Sequence, residues 1–212
     1  MKGLSLSEPM VKAWLAGNKR VTRRLMNPQP ILGLVIEQID RETYGFFIPG
    51  YSIPCDTIKP RYLPGEIVYI KETWRETWCS GSPAKGYEVG IEYRATWTGS
   101  HDPQGRTVKV PEMHYGYKIT KKGTGAWKSP RFMPEWAARS HALIVSVRPE
   151  RVQEITEGEA IREGVKADPV MINGFPPVRY FRRDSFRRLW MNLHPGSWER
   201  NDWVWRIELE HE

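Results

Sequence analysis

The chain has 212 residues, with 32 Lys plus Arg against 25 Asp plus Glu and a formal net charge of +7. A chain of this length suits one domain that buries about 70 % of its unfolded surface, and the basic excess favours an anionic partner, nucleic acid foremost. The opening MKGLSLSEPM lacks the apolar run of a signal peptide and no segment reaches the roughly 20 apolar residues of a membrane span, so a cytoplasmic chain with no membrane partner is expected.

Ser7, Glu8 and Pro9 read as an N-cap with proline in the first turn, and Met10, Val11, Trp14 and Leu15 then recur at helical spacing up to Gly17. GNKRVTRR follows at 17–24, with Lys19, Arg20, Arg23 and Arg24 gathered around Thr22. Three readings are open: a solvated basic strand, a phosphate clamp, or an active site whose lysine gives up its proton. Residues three apart on a regular strand face opposite ways, so Lys19 can meet Thr22 only from the turn after Gly17 or across a bulge. Weak alternation from Ile31 to Ile48, broken by prolines, gives a hairpin or irregular strands. In YLPGEIVYIKETW, Pro64-Gly65 makes a turn and Ile67, Tyr69 and Lys71 share one face of a strand. From Arg75 to Trp127 the chain is rich in Gly, Ser, Thr and Lys, with one strand at Tyr87 to Trp97. Residues 75–139 therefore read as an insertion or mobile excursion without a core of its own, inside a single domain spanning 1–212.

Order returns with a strand from Ala142 to Val147, and Thr156 with Glu159 makes a capping box on a short helix closed by Gly164. RDSFRRLWMNLHPG is an amphipathic helix, capped by Asp184, that turns Phe186, Leu189 and Trp190 toward a core. Its Arg183 and Arg187, four apart, join Arg179, Arg182 and Arg188 in a basic face that is either simply wet or follows a nucleic-acid backbone. The closing WVWRIELE alternates Trp203, Trp205, Ile207 and Leu209 with Val204, Arg206 and Glu208, a strand packing one face. Short strands broken by Pro and Gly, with a few peripheral helices, favour an α+β fold built on a small β-barrel over a parallel α/β sheet.

Ten tryptophans serve either core packing or base stacking. In KETW, Glu72 is placed to hydrogen-bond a base edge while Trp74 stacks on it beside Lys71, or else to form an ion pair next to a core tryptophan. Trp136 and Arg139 in MPEWAARS present the same two readings. Cys55 and Cys79 read as reduced thiols, and the five histidines lack ligand spacing, so no metal is expected. Without a Gly-rich dinucleotide loop or a Walker loop, no nucleotide cofactor is expected either.

AGNKRVTRR fits the pattern Gly-x-Lys-x-x-Thr-x-Arg at Gly17, Lys19, Thr22 and Arg24. Here the chain resembles the ASCH family, which has a PUA-like β-barrel fold and is associated with RNA binding and modified nucleosides. The likeness extends to LPGEIVYI, HALIVSV, TEGEAIREGV and the terminal strand, and VYIKETW and RFMPEWAAR resemble the longer ASCH-like proteins of bacteriophages and prophages. One branch of the family comprises amidohydrolases that remove the acyl group from acetylated cytidine, with the motif lysine as base, the threonine as nucleophile and a glutamate of the downstream helix as proton donor. The resemblance thus implies Lys19, Thr22 and, through AIREGV, Glu163, with Glu159 the nearest competitor; 75–139 has no counterpart in that branch.

A threonine hydroxyl is a poor nucleophile until a base takes its proton, and a lysine serves only if burial or nearby positive charge lowers its pKa. Arg20, Arg23 and Arg24 supply such charge. A glutamate beside the lysine acts the other way unless its carboxyl is itself protonated in a dry pocket. The expected function is binding of RNA, other nucleic acid or a modified nucleobase through Lys19, Arg20, Arg23, Arg24 and the KETW aromatic. The alternative is amide hydrolysis on an acylated cytidine-like base by Thr22, Lys19 and Glu163. RNA cleavage at the same pocket, or contact with a host factor through 75–139, are further alternatives.

Overall fold

The computed structural model of the chain describes residues 1–31, 33–82, 86–98, 101–110, 125–167 and 181–212. In chain order they form β1 (Lys2–Ser5), α1 (Glu8–Leu15), β2 (Val21–Leu25), β3 (Val35–Gln38), β4 (Tyr44–Phe47), β5 (Asp56–Ile58) and β6 (Ile67–Lys71). There follow β7 (Trp74–Ser82), β8 (Gly86–Tyr93), β9 (Arg106–Val110), β10 (His141–Arg151), α2 (Glu157–Arg162), α3 (Arg182–Leu193) and β11 (Trp203–His211). The fold is mixed α+β, mostly sheet with few helices, and among the described residues the strands close no barrel. Among them, too, no helix is long and apolar enough to cross a membrane. The chain divides into two compact units that alternate along the sequence: Met1–Ala16 with Ile67–Ala142 and His211–Glu212, and Gly17–Glu66 with Leu143–Glu210.

In the first unit Ser7 takes the extended conformation of an N-cap, Pro9 lies in the first turn of α1, and Val11, Ala13 and Trp14 are its buried face. The strand β1, too short to announce itself in the sequence, runs parallel to β6 with Gly3 opposite Tyr69. A Cβ at Gly3 would lie 2.7 Å from the Tyr69 ring and 2.5 Å from the Lys71 stem, so close approach explains the glycine. Strands β7, β8 and β9 form an antiparallel sheet, and Tyr69, Trp74, Val89, Ile91, Tyr93, Met133, Ala137 and Ala138 pack into one buried cluster. Where a coreless excursion was expected, the described part of 75–139 is thus a sheet with a core. The reason is that aromatics supply it: a buried Trp or Tyr removes roughly 150–250 Å² from water, on the order of 4–6 kcal/mol at about 25 cal/mol per Å². The side chain of Cys79 and the residues His114 and Arg179 lie outside what the structure describes.

In the second unit β11 lies between β10 and β2, and β3, β4 and β5 form a separate antiparallel sheet. The turn between β3 and β4 is held by Asp40, whose Oδ1 accepts from the amides of Glu42 and Thr43, both at 2.8 Å. Two expectations are corrected here. The terminal strand β11 does not bury one face only, because Val204 and Arg206 are as buried as Trp205 and Ile207; carboxylates on the second face receive the arginine. Nor is Asp184 the cap of α3. That helix begins at Arg182, and the Glu157 carboxylate of α2 accepts from the amides of Arg182 at 2.7 Å and Arg183 at 2.9 Å. A carboxylate at the positive end of a helix satisfies orphan N–H groups and the macrodipole together. Phe186 and Trp190 are the buried, mutually stacked aromatics of α3, and Leu189 is half-buried.

Candidate functional site

Gly17, at φ +73°, turns the chain, and Lys19 follows in the irregular segment before β2 rather than in the ladder. Strand β2 is the edge strand beside β11. The Leu209 amide donates to the Arg20 carbonyl at 2.8 Å, and hydrogen-bonded and non-hydrogen-bonded pairs alternate along an antiparallel ladder. Val21 and Arg23, opposite Glu208 and Arg206, therefore turn their own backbone groups to the free edge. Lys19 Nζ reaches that edge and donates to the Val21 carbonyl at 2.7 Å.

The C-terminus of α2 meets the same edge. Thr156 caps its start by accepting from the Glu159 amide at 3.2 Å. At its end Gly164, at φ +80°, donates to the Ile161 carbonyl at 2.9 Å and Val165 to the Ala160 carbonyl at 3.3 Å, the paired bonds of a Schellman motif. Glu163 is the C-cap, so its carbonyl lacks a helical partner. Lys19 Nζ takes that carbonyl at 2.8 Å and the Glu163 Oε2 at 2.9 Å, while the Arg20 amide takes the Arg162 carbonyl at 2.7 Å.

Three acceptors surround Lys19 Nζ, which matches the three N–H of an ammonium. Lys19 is only 1 % exposed. Burial pulls its pKa below the usual lysine range; the Glu163 carboxylate and its hydrogen bond act against that, and Arg24 and Arg23 add to the lowering. The Lys19–Glu163 pair is thus sealed and fully hydrogen-bonded.

Arg23 sits directly across from Arg206, a like-charge pairing that needs compensation. Its side chain is 0 % exposed, and it gives Nε to Glu150 Oε1 at 2.6 Å, Nη1 to Glu163 Oε1 at 3.1 Å and Nη2 to Glu159 Oε2. Arg206 gives Nε to Glu159 Oε1 at 2.7 Å and Nη1 to Glu208 Oε2 at 3.1 Å. Arg148, from the solvent side, lies 3.5 Å from Glu150 Oε2 and 3.7 Å from Glu159 Oε1. Burial pushes the Glu150 carboxyl above the usual range against the pull of Arg23, with Glu159 adding to the rise. At Glu159 burial also pushes upward, but the Arg206 hydrogen bond and the charges of Arg23 and Arg206 outweigh it and hold the carboxyl below that range.

The structure therefore brings Lys19, Glu163 and Arg23 together and gives Glu159 to the two arginines instead of to the lysine. Thr22 is buried opposite Ile207. Strand alternation sets it with half-buried Arg24 on the face away from Arg23. That face remains within electrostatic reach of the pair: Arg24 adds to the lowering of Lys19, and burial pulls Arg24 itself downward against the charges of Tyr62 and Glu163. Arg20 is exposed.

The KETW and MPEWAARS residues belong to the first unit. Arg139 grips Glu72 with two hydrogen bonds of 2.8 Å, lies 4.1 Å over the Tyr93 ring, and donates Nη1 to Thr96 Oγ1 at 3.0 Å and Gln104 Oε1 at 2.9 Å. Both Glu72 oxygens are occupied. Trp74 is fully buried against the edge of Trp136, ring centroids 5.9 Å apart, and Lys71 Nζ donates to the Arg131 carbonyl at 2.7 Å. These five residues build an ion pair beside a core. Among the described residues no group of three His, Cys, Asp or Glu side chains is arranged to hold a metal.

No protein-family model, no curated protein and no solved structure matches the chain.

The sequence pointed to Lys19 and Glu163, which the structure places in contact, but not to Glu150, Arg206, Glu208 or the part played by Arg23 in the same network. The available signal was a charged residue at an apolar-neighboured position of a strand, as at Arg206 between Trp205 and Ile207. Which strand and helix supply its partners is a matter of tertiary pairing.

Proposed function

We propose that the chain is an amidohydrolase, built on the plan of a PUA-like barrel, that removes the acyl group from an acylated cytidine-like base. The observation that carries this reading is the sealed 2.9 Å contact between Lys19 Nζ and Glu163 Oε2. One proton shifted along that hydrogen bond turns ammonium and carboxylate into amine and carboxylic acid, a base and an acid side by side, and a dry site lessens the cost of the neutral pair. The Thr22 hydroxyl then attacks the acyl carbonyl as Lys19 takes its proton, and Glu163 protonates the departing amine. The ion pair is restored and the acyl group rests on Thr22 as an ester. A second shift along the same bond lets Lys19 take a proton from water as it attacks the ester, and Glu163 returns one to Thr22 Oγ1.

Burial argues against the phosphate clamp at these positions, since Lys19 and Arg23 are already spent on carboxylates and carbonyls. Nucleic-acid binding without chemistry is a second reading, favoured by exposed Arg20 and by Arg148, whose side chain is 59 % exposed. Intact-mass spectrometry on protein mixed with an acylated cytidine separates the two. Hydrolysis through Thr22 gives a single acyl adduct that is absent from Thr22→Ala; a pure binder gives none.

A further inference from the structure

We propose that Arg23 is a positioning residue: held by Glu150 and Glu159, it fixes the Glu163 carboxylate with Oε2 toward Lys19 and adjusts how readily that carboxylate accepts the lysine's proton. The inference deepens the hydrolase reading and rests on it for its kinetic readout alone.

The guanidinium of Arg23 is shared among three glutamates: Nε and Nη2 meet Glu150 near the end of β10, Nη2 also meets Glu159 in the first turn of α2, and Nη1 meets Glu163 at its C-cap, four residues on. A planar fork with donors in three directions can do this, whereas a lysine offers one nitrogen. Glu163 has its two oxygens divided, Oε1 to Arg23 and Oε2 to Lys19, so without Arg23 the carboxylate is held through Oε2 alone. The division also tempers charge. A full cation on Oε1 would keep Glu163 ionised and forbid the neutral pair; a cation shared among three carboxylates opposes it less. The charged groups around Glu163 are Lys19, Arg23 and Arg24, and those around Glu150 are Arg23, Arg148, Arg206 and Glu159. With its guanidinium engaged by Glu150, Glu159 and Glu163, Arg23 acts on the carboxylate rather than on a substrate.

The test is a pH titration of the Lys19 side-chain nitrogen by 15N NMR, its signal assigned from Lys19→Arg, in wild type, Glu150→Gln, Arg23→Lys and Arg23→Gln, each first checked for native near-UV circular dichroism. Loss of a neighbouring charge moves a titration by about one unit or more. Glu150→Gln, which removes an anion, is expected to move Lys19 downward, and Arg23→Gln, which removes a cation, upward. In kinetics on an acylated cytidine, Arg23→Lys is expected to lower kcat by about tenfold to a hundredfold with KM nearly unchanged, because charge is kept and aim is lost. An unmoved Lys19 titration in folded Glu150→Gln overturns the inference, as does full activity of Arg23→Lys. Should Arg23→Gln fail to fold, those two variants decide. If wild type turns over no acylated cytidine, the hydrolase reading fails by itself, and the titration still judges whether Arg23 governs the pair.

Discussion

Lys19 has three acceptors and no solvent, which fixes what its loss should do. Lys19→Met leaves the Glu163 carboxylate with Arg23 alone and two carbonyls without their donor. Breaking a buried pair from one side costs about 3–5 kcal/mol, so urea denaturation should show a loss of that order, far above the cost of a surface lysine. The glutamates differ in sign. Glu159 and Glu208 sit below the usual range, so the stability they contribute is complete above the ordinary glutamate pKa and is lost as pH falls through their lowered values. Glu150 sits above it, so its ionised form costs stability at neutral pH, and acidification through its raised value returns that cost. Thermal melts from pH 7 to pH 3 should therefore show a shallower acid loss for Glu159→Gln than for wild type. At pH 7 Glu150→Gln should lose less stability than Lys19→Met, because the amide oxygen can still accept from Arg23 Nε while the cost of a buried carboxylate is removed. At this scale the motif made Lys19 legible, and AIREGV did so for Glu163. Arg23 occupies an unconstrained position of the motif, and its importance comes from three glutamates that are distant in sequence.

The ends of the helices aim these side chains. Gly164 at φ +80° lets α2 stop with Glu163 as its last residue against the edge of β2. An L side chain in that conformation costs about 1–2 kcal/mol. Gly164→Ala should lose about that much stability, and should lose proportionately more turnover because the carboxylate is displaced. Glu157→Gln weakens the acceptor that α3 uses for its first two amides and should cost about 1 kcal/mol, whereas Asp184→Asn should cost little; denaturant midpoints of the two variants decide between a distant and a local cap. Glycine turns, the Thr156 cap and the alternation of β11 were readable because they are local in sequence. The parallel strand β1 and the Glu157 cap were not, since each is defined by a partner from elsewhere in the chain. The same limit hid the second buried face of β11, where Arg206 looks solvent-bound until Glu159 is placed beside it.

At the scale of the whole molecule the +7 charge still asks for an explanation. Lys19, Arg23 and Arg206 are internally neutralised, which leaves exposed cations such as Arg20 and Arg148 as the ones an anionic partner would meet. If the acylated base is presented in RNA, Arg148→Ala should weaken binding of all sequences alike and reduce the salt slope by about 1, while leaving kcat on a free nucleoside nearly unchanged. The α+β class and most strands were legible from periodicity and breakers. The sheet built by 75–110 was not, because its core is completed by Tyr69, Trp74 and Met133 from its borders. In the proposed reaction the buried lysine and glutamate move protons for Thr22. The most direct measurement is release of free cytidine from acylated cytidine nucleosides by wild type, Lys19→Ala and Thr22→Ala, each confirmed folded. Release by wild type and by neither variant is expected of this reaction; no release by wild type, or undiminished release by Lys19→Ala, rules it out.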